Sequence, residues 1–409
     1  MQKLENKQPT SKNKRRFRRI FTGIVLVLAL LGSGAVGGVA WYFSNSILIP
    51  QPYSLLPEFE VIAADADTVT LPLPPNNKQF ADTARAGTYN LIWQGGHGRL
   101  GEIISRSETS LVRPLSDIEG EPPQAGDPAR LEIFMHLRDP LQDHGLAFED
   151  VRVTSDVGEL HGWWLAEDLT GEDDIAVLML HGRRRSSRLE TLRIMPLLRE
   201  RGYPVLALAY RNHDSSPPSP DGFFHYGASE WQDALAGLRF LQARGAERVV
   251  IYAYSMGGAV TLETIERWQD DLPVLTALII DAPLLNPRAV FELGAKATGL
   301  PLPAFFTDVT MRLATLRAGI PWAELDQPAT VNSLPAPLLL IHGTADSVVP
   351  VSVSDALFER LQSNNQNVRY ERVVGVEHGE AWNQDPEGYE SWISDFLSEH
   401  APLPVATSP

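Results

Sequence analysis

Six short runs of apolar residues constrain this chain more than any other feature: IAVLML (175–180), PVLALAY (204–210), RVVIYAY (248–254), VLTALII (274–280), APLLLI (336–341) and VRYERVV (368–374). Each is continuously apolar or nearly so, as a strand must be when both faces of its sheet are covered. Segments of helical period lie between them. The stretch 229–242 sets Trp231, Leu235, Leu238 and Leu241 on one face, and 386–398 does the same with Tyr389, Trp392, Ile393, Phe396 and Leu397. Gly202 and Gly245 stand where a helix ends in a left-handed residue. This alternation specifies an α/β fold, a mostly parallel central sheet flanked by helices, over residues 148–400. VRVTS (151–155) and LHGWWLA (160–166) enter the sheet as antiparallel strands. Between Asp281 and Pro337 a longer mixed segment interrupts the pattern, and its part at about 284–335 is expected to cap the strand ends.

The amino-terminal region follows other rules. Residues 20–43 form a 24-residue run without a charge, closed by Trp41, Tyr42 and Phe43. At about 1.5 Å per residue such a helix reaches about 36 Å, enough for a hydrocarbon core of about 30 Å. Residues 1–19 carry eight Lys/Arg against Glu5, a balance of +7, which leaves −23 on the remainder of a chain at −16 overall. The expectation is a basic cytoplasmic arm (1–19), a single-pass signal anchor (20–43) and a body outside the cytoplasm at a cell membrane. A cleaved signal peptide ending at Gly38, Val39 and Ala40 is the alternative, and the length of the apolar run argues against it. Gly32, Gly34 and Gly37 match GxGxxG, but no strand precedes them, so no dinucleotide site is expected. Gly34 and Gly38 permit close helix pairing without requiring it, which leaves the oligomeric state open.

A body this acidic is a poor partner for nucleic acid. The absence of cysteine excludes disulfides, thiolate metal sites and a cysteine nucleophile. Residues 44–147 read as a spacer and a small β-rich segment, with strands expected at TYNLIW (88–93), GEIIS (101–105) and RLEIFM (130–135). Nothing catalytic is visible there.

The chemistry concentrates in three loops. IYAYSMGGAV places Ser255 directly after an apolar strand and before a helix, where ligands meet an open sheet. Small residues flank it two positions away on each side, Ala253 and Gly257, and let the backbone form a tight elbow; Ala253 departs from the usual glycine of GxSxG. A serine hydroxyl needs a base in reach and a third group to orient that base. Asp346 lies five residues beyond APLLLI, and His378 lies four beyond VRYERVV with only His400 after it. Asp281, at the end of VLTALII, is the competing acid. The amides of Met256 and Arg183 are the expected donors to an oxyanion. Arg183, Arg184, Arg185 and Arg188 crowd the same rim, as a solvated helix entrance or as a grip on a carboxylate or phosphate.

Taken in order, LHGR, AYRNHDSSP, AYSMGG, DAP, HGTADSVVP and VEHGEAWN resemble the α/β-hydrolase superfamily, in its serine aminopeptidase-like and esterase-like branch. The resemblance covers about residues 148–400 and leaves 401–409 as a flexible tail. It implies a triad of Ser255, Asp346 and His378, no metal and no organic cofactor; a small-molecule or lipid-like acyl substrate is the expected partner. It does not fix the bond, because one scaffold serves esters, thioesters and amides. A carboxylic ester is the expected bond, a peptidase or thioesterase is the alternative enzyme, and a catalytically inactive binding module is the alternative outside enzymes.

Overall fold

The structure, a computed structural model, describes residues 11–51, 56–73, 83–166, 169, 174–183 and 188–403. The first ten residues of the basic arm, Arg184, Arg185 and the tail from 404 lie outside them. The chain opens with one helix, α1 (Ser11–Leu48). Among the described residues no helix is long and apolar enough to cross a membrane; the side chains of 23–31, in the middle of the uncharged run, lie outside them. The carboxyl end of α1 belongs to the folded body. Ala40, Ser44, Ile47 and Leu48, spaced as one helical stripe, are buried.

An antiparallel sheet follows, built from β1 (Phe59–Glu60), β2 (Ala63–Ala64), β3 (Thr68–Pro72), β4 (Tyr89–Trp93), β5 (Gly96–Leu100), β6 (Ser105–Arg106), β7 (Ser110–Gly120) and β8 (Pro128–Glu132). Its order is β1-β8-β4-β5-β7-β3-β2, with β6 on β7, and it closes around Val69, Leu71, Leu91, Trp93, Leu100 and Leu131. The expected strands need correction: RLEIFM (130–135) lies only in part in β8, which runs Pro128–Glu132. The first four residues of GEIIS (101–104) lie between β5 and β6, with only Ser105 opening β6; the longer strand is GHGRL. Its glycines hide it from propensity, yet they are required, because a Cβ on Gly96 would lie 2.2 Å from the Glu119 carbonyl oxygen. The eleven-residue β7 escapes notice because Pro114 interrupts its pattern.

After α2 (Pro140–His144) comes the central sheet: β9 (Glu149–Ser155), β10 (Gly158–Leu165), β11 (Ile175–Leu180), β12 (Val205–Ala209), β13 (Arg248–Tyr254), β14 (Val274–Asp281), β15 (Leu338–Gly343) and β16 (Val368–Val373). Its order is β16-β15-β14-β13-β11-β12-β10-β9; β9 and β10 pair antiparallel and the remaining six strands run parallel. Strand period 2 divides each strand between two cores. Val249, Ile251 and Ala253 of β13 face one, and Val250, Tyr252 and Tyr254 face the other. Helices α3 (Leu189–Leu192), α4 (Met195–Glu200), α5 (Trp231–Ala243) and α6 (Met256–Ile265) cover the sheet as the chain winds through it. Helices α7 (Pro287–Ala297), α8 (Pro303–Ala318) and α9 (Gln327–Thr330) fill the gap between β14 and β15, and α10 (Ser352–Ser363), α11 (Ala381–Gln384) and α12 (Pro386–His400) complete the domain.

Helix α1 fastens to this body through α8 and the loop after β12. Arg317 Nη1 donates to Ser44 Oγ at 2.7 Å and stacks over Trp41, while the Phe224 amide donates to the Leu48 carbonyl at 2.9 Å.

Candidate active site

The turn from β13 to α6 carries Ser255 at φ 47°, ψ −114°, a conformation that non-glycine residues avoid and that costs about 1–3 kcal/mol. Surrounding bonds hold it. The Ser255 amide donates to the Asp281 carbonyl at 2.9 Å, and its own carbonyl accepts from Gly258 and Leu284. Gly257 is essential to the turn, since a Cβ there would lie 2.3 Å from the Leu180 carbonyl oxygen.

Loops from the ends of β15 and β16 bring two side chains to this elbow. His378 Nε2 lies 3.0 Å from Ser255 Oγ and His378 Nδ1 lies 2.7 Å from Asp346 Oδ2. An ionised carboxylate only accepts, so Nδ1 carries the hydrogen toward Asp346 and Nε2 is left to accept from the serine hydroxyl. The other carboxylate oxygen, Asp346 Oδ1, accepts from the amides of Val348 and Val349 at 2.8 and 2.7 Å. Burial pushes the Asp346 pKa up, but the neighbouring His378 and hydrogen bonds from His342 and His378 outweigh it, holding the carboxyl well below the usual range.

His342 was not legible as part of this site. It is fully buried at the end of β15, donates from Nε2 to Asp346 Oδ2 at 3.0 Å and to the Val349 carbonyl, and meets Ser354 Oγ through Nδ1 at 2.7 Å. Its motif HGTAD, with His and Asp four apart, is the one sequence signal that could have found it. Asp281 turns elsewhere: Tyr389 donates to its Oδ2 at 2.8 Å and Arg193 Nη2 lies 3.7 Å away. Burial raises its pKa, against the pull of Arg193 and Tyr389.

Met256 is the first residue of α6, where a backbone N–H has no partner inside the helix. Gly182 packs against the serine, since a Cβ on it would lie 3.1 Å from Ser255 Cβ, and Arg183 is next in the chain. Buried Glu190 fixes this segment by accepting from the Gly182 amide at 2.8 Å. Of the arginine-rich rim, Arg183 and Arg188 are engaged within the protein. Arg183 Nη1 donates to Tyr226 Oη at 3.1 Å and to the carbonyls of Ser46 and Ile47 on α1, while Arg188 pairs with Asp214 at 2.7 Å and stacks over Trp163. Among the described residues no cluster of His, Asp and Glu is arranged to hold a metal.

A strained serine at the end of a central parallel strand, with a histidine on it and an aspartate behind, sits on a fold of the α/β-hydrolase class. The model of the Alpha/beta hydrolase family matches residues 177–392, and the chain belongs to that family. Residues 60–132, most of the antiparallel sheet, match a Domain of unknown function (DUF8805). The chain is 25% identical over 255 residues to the Uncharacterized protein YfhR of Escherichia coli (strain K12), covering 61% of this chain and 80% of that one. It is 26% identical over 263 residues to the Lysophosphatidylserine lipase ABHD12 of Macaca fascicularis, covering 56% of this chain and 60% of the lipase. Its fold is similar to that of the Pyrococcus furiosus esterase Pf2001, at a TM-score of 0.51 and 24% identity over 65% of this chain and 96% of that one.

Proposed function

We propose that the protein is a serine hydrolase cleaving a carboxylic ester of a lipid-like acyl substrate, tethered to the membrane by α1 with its catalytic domain outside the cytoplasm. One observation carries the chemistry: Ser255 Oγ, His378 and Asp346 form a continuous hydrogen-bonded line at 3.0 and 2.7 Å. His378 Nε2 takes the serine proton as Oγ attacks the ester carbonyl, and the amides of Met256 and Arg183 receive the oxyanion. His378 returns the proton to the departing alcohol. Water, deprotonated by the same imidazole, then frees the acid.

The lipid-like substrate is supported by the lysophosphatidylserine lipase among the relatives, and the tether by the uncharged run at 20–43 behind its basic arm. The test is turnover of short p-nitrophenyl esters against aminoacyl anilides. Ester cleavage that falls at least about a thousandfold in Ser255→Ala supports the reading. Preference for anilides, or equal turnover by the variant, overturns it.

A further inference from the structure

The segment 376–383, which carries His378, is gripped from three sides. On the acid side, the Ala345 amide donates to the Val376 carbonyl at 3.0 Å and the Ser347 amide to Glu377 Oε2 at 2.9 Å. From the hydrolase core, buried Arg193 donates through Nη1 to the Gly379 carbonyl at 2.8 Å. The third side is the antiparallel sheet. Arg85 forms an ion pair with Glu380, and the Tyr89 hydroxyl donates to Glu380 Oε2 at 3.0 Å. The Thr88 amide donates to the Asn383 carbonyl at 2.7 Å, and Asn383 Nδ2 donates back to the carbonyls of Thr88 and Ile133 at 2.9 Å. Gly87, at φ 107°, lies so close that a Cβ would come within 2.4 Å of the Asn383 carbonyl oxygen.

The loop presenting Arg85 is itself built for the purpose. Arg113, fully buried in the sheet, donates to the carbonyls of Gly101, Thr83, Arg85 and Gly87. A guanidinium is costly to bury unless its hydrogens are met. Here the carbonyls of the 83–87 loop supply most of the acceptors, so the conformation of that loop and the satisfaction of Arg113 stand together.

We propose that the antiparallel sheet is a positioning clamp for the catalytic base: Arg85 and Tyr89, acting through Glu380, hold the 376–383 segment so that His378 stays on Ser255. The proposal rests on the reading of His378 as the base. Only Gly379 separates Glu380 from His378, and a displacement of about 1 Å at a reacting group can cost about a hundredfold in rate. Arg85 and Tyr89 touch no reacting atom, so they are positioning residues.

The test uses the full chain, measuring kcat and KM on a p-nitrophenyl ester, the rate of fluorophosphonate labelling and the thermal midpoint. Arg85→Ala is expected to lower kcat and the labelling rate about tenfold or more while KM moves less than about twofold. Arg85→Lys, which keeps the charge facing Glu380, restores kcat to within about threefold of wild type. Arg85→Ala combined with Glu380→Gln is no worse than the poorer single variant, as expected for two members of one contact. Wild-type kcat and labelling in Arg85→Ala overturn the clamp, as does a loss matched by an equal loss of folded protein that Arg85→Lys does not rescue. If wild-type protein is itself not labelled, the hydrolase reading fails first and the clamp falls with it.

Discussion

The Asp346 carboxylate serves two imidazoles through one oxygen and two backbone amides through the other. Replacing His342 with alanine removes one donor from that carboxylate and leaves buried Ser354 without its partner. This is expected to cost about 1–3 kcal/mol in urea denaturation, with kcat reduced but not abolished. Asp346→Asn is more severe, because an amide can present the wrong atom to Nδ1 and favour the wrong tautomer; kcat should fall by about 10³–10⁴. The same carboxyl sets a pH dependence. Its pKa is lowered in the fold from 3.8, so the stability it supplies is present above that value and is lost as the pH falls toward the folded one. The gap in urea midpoint between wild type and Asp346→Asn should therefore hold steady above about pH 5 and shrink as the pH falls below 3.8; a gap that stays constant or widens below 3.8 contradicts the assignment. Ser255, Asp346 and His378 could be chosen from sequence because each sits just past an apolar run, where strand ends collect functional groups. Arg193, Glu190 and Arg85 could not, because their roles depend on partners the fold supplies; Arg193 and Gly379 are 186 positions apart.

Strands were legible where both faces are buried. β11 and β13 match their apolar runs residue for residue, whereas the edge strand β16, read as one of those runs, is only half-buried and carries Arg369, Glu371 and Arg372. The antiparallel sheet was less legible, because Gly96 and Gly98 in β5 and Pro114 in β7 stand where backbone packing, not propensity, decides. The end of α1 was legible only as part of an apolar run, whereas its last turns pack into the hydrolase core. The Tyr226 hydroxyl donates to the Ile47 carbonyl at 2.5 Å, beside the Arg183 contacts. A chain beginning at residue 36 should thus keep wild-type ester turnover. One beginning at residue 49 loses the buried side chains of Ile47 and Leu48, about 3–6 kcal/mol together, and should show it as a lowered urea midpoint. Equal stability of the two truncations would remove α1 from the fold.

At the scale of the whole molecule, one helix and two sheets meet around the same loops: α1 touches Arg183 beside the serine, and the antiparallel sheet touches the segment bearing the histidine. If the helix is also the tether, full-length protein should remain in the membrane pellet after an alkaline carbonate wash, and the chain beginning at residue 36 should be released; recovery of both in the supernatant contradicts the tether. The proposed chemistry stands on the nucleophilicity of one hydroxyl, that of Ser255. Intact-mass analysis after exposure of full-length protein to a fluorophosphonate reads it directly. One adduct per chain, mapped to the peptide carrying Ser255, absent from Ser255→Ala and slow to form in His378→Ala, is the predicted result. A folded wild-type chain that gains no mass, or a Ser255→Ala variant that gains as much, would contradict it.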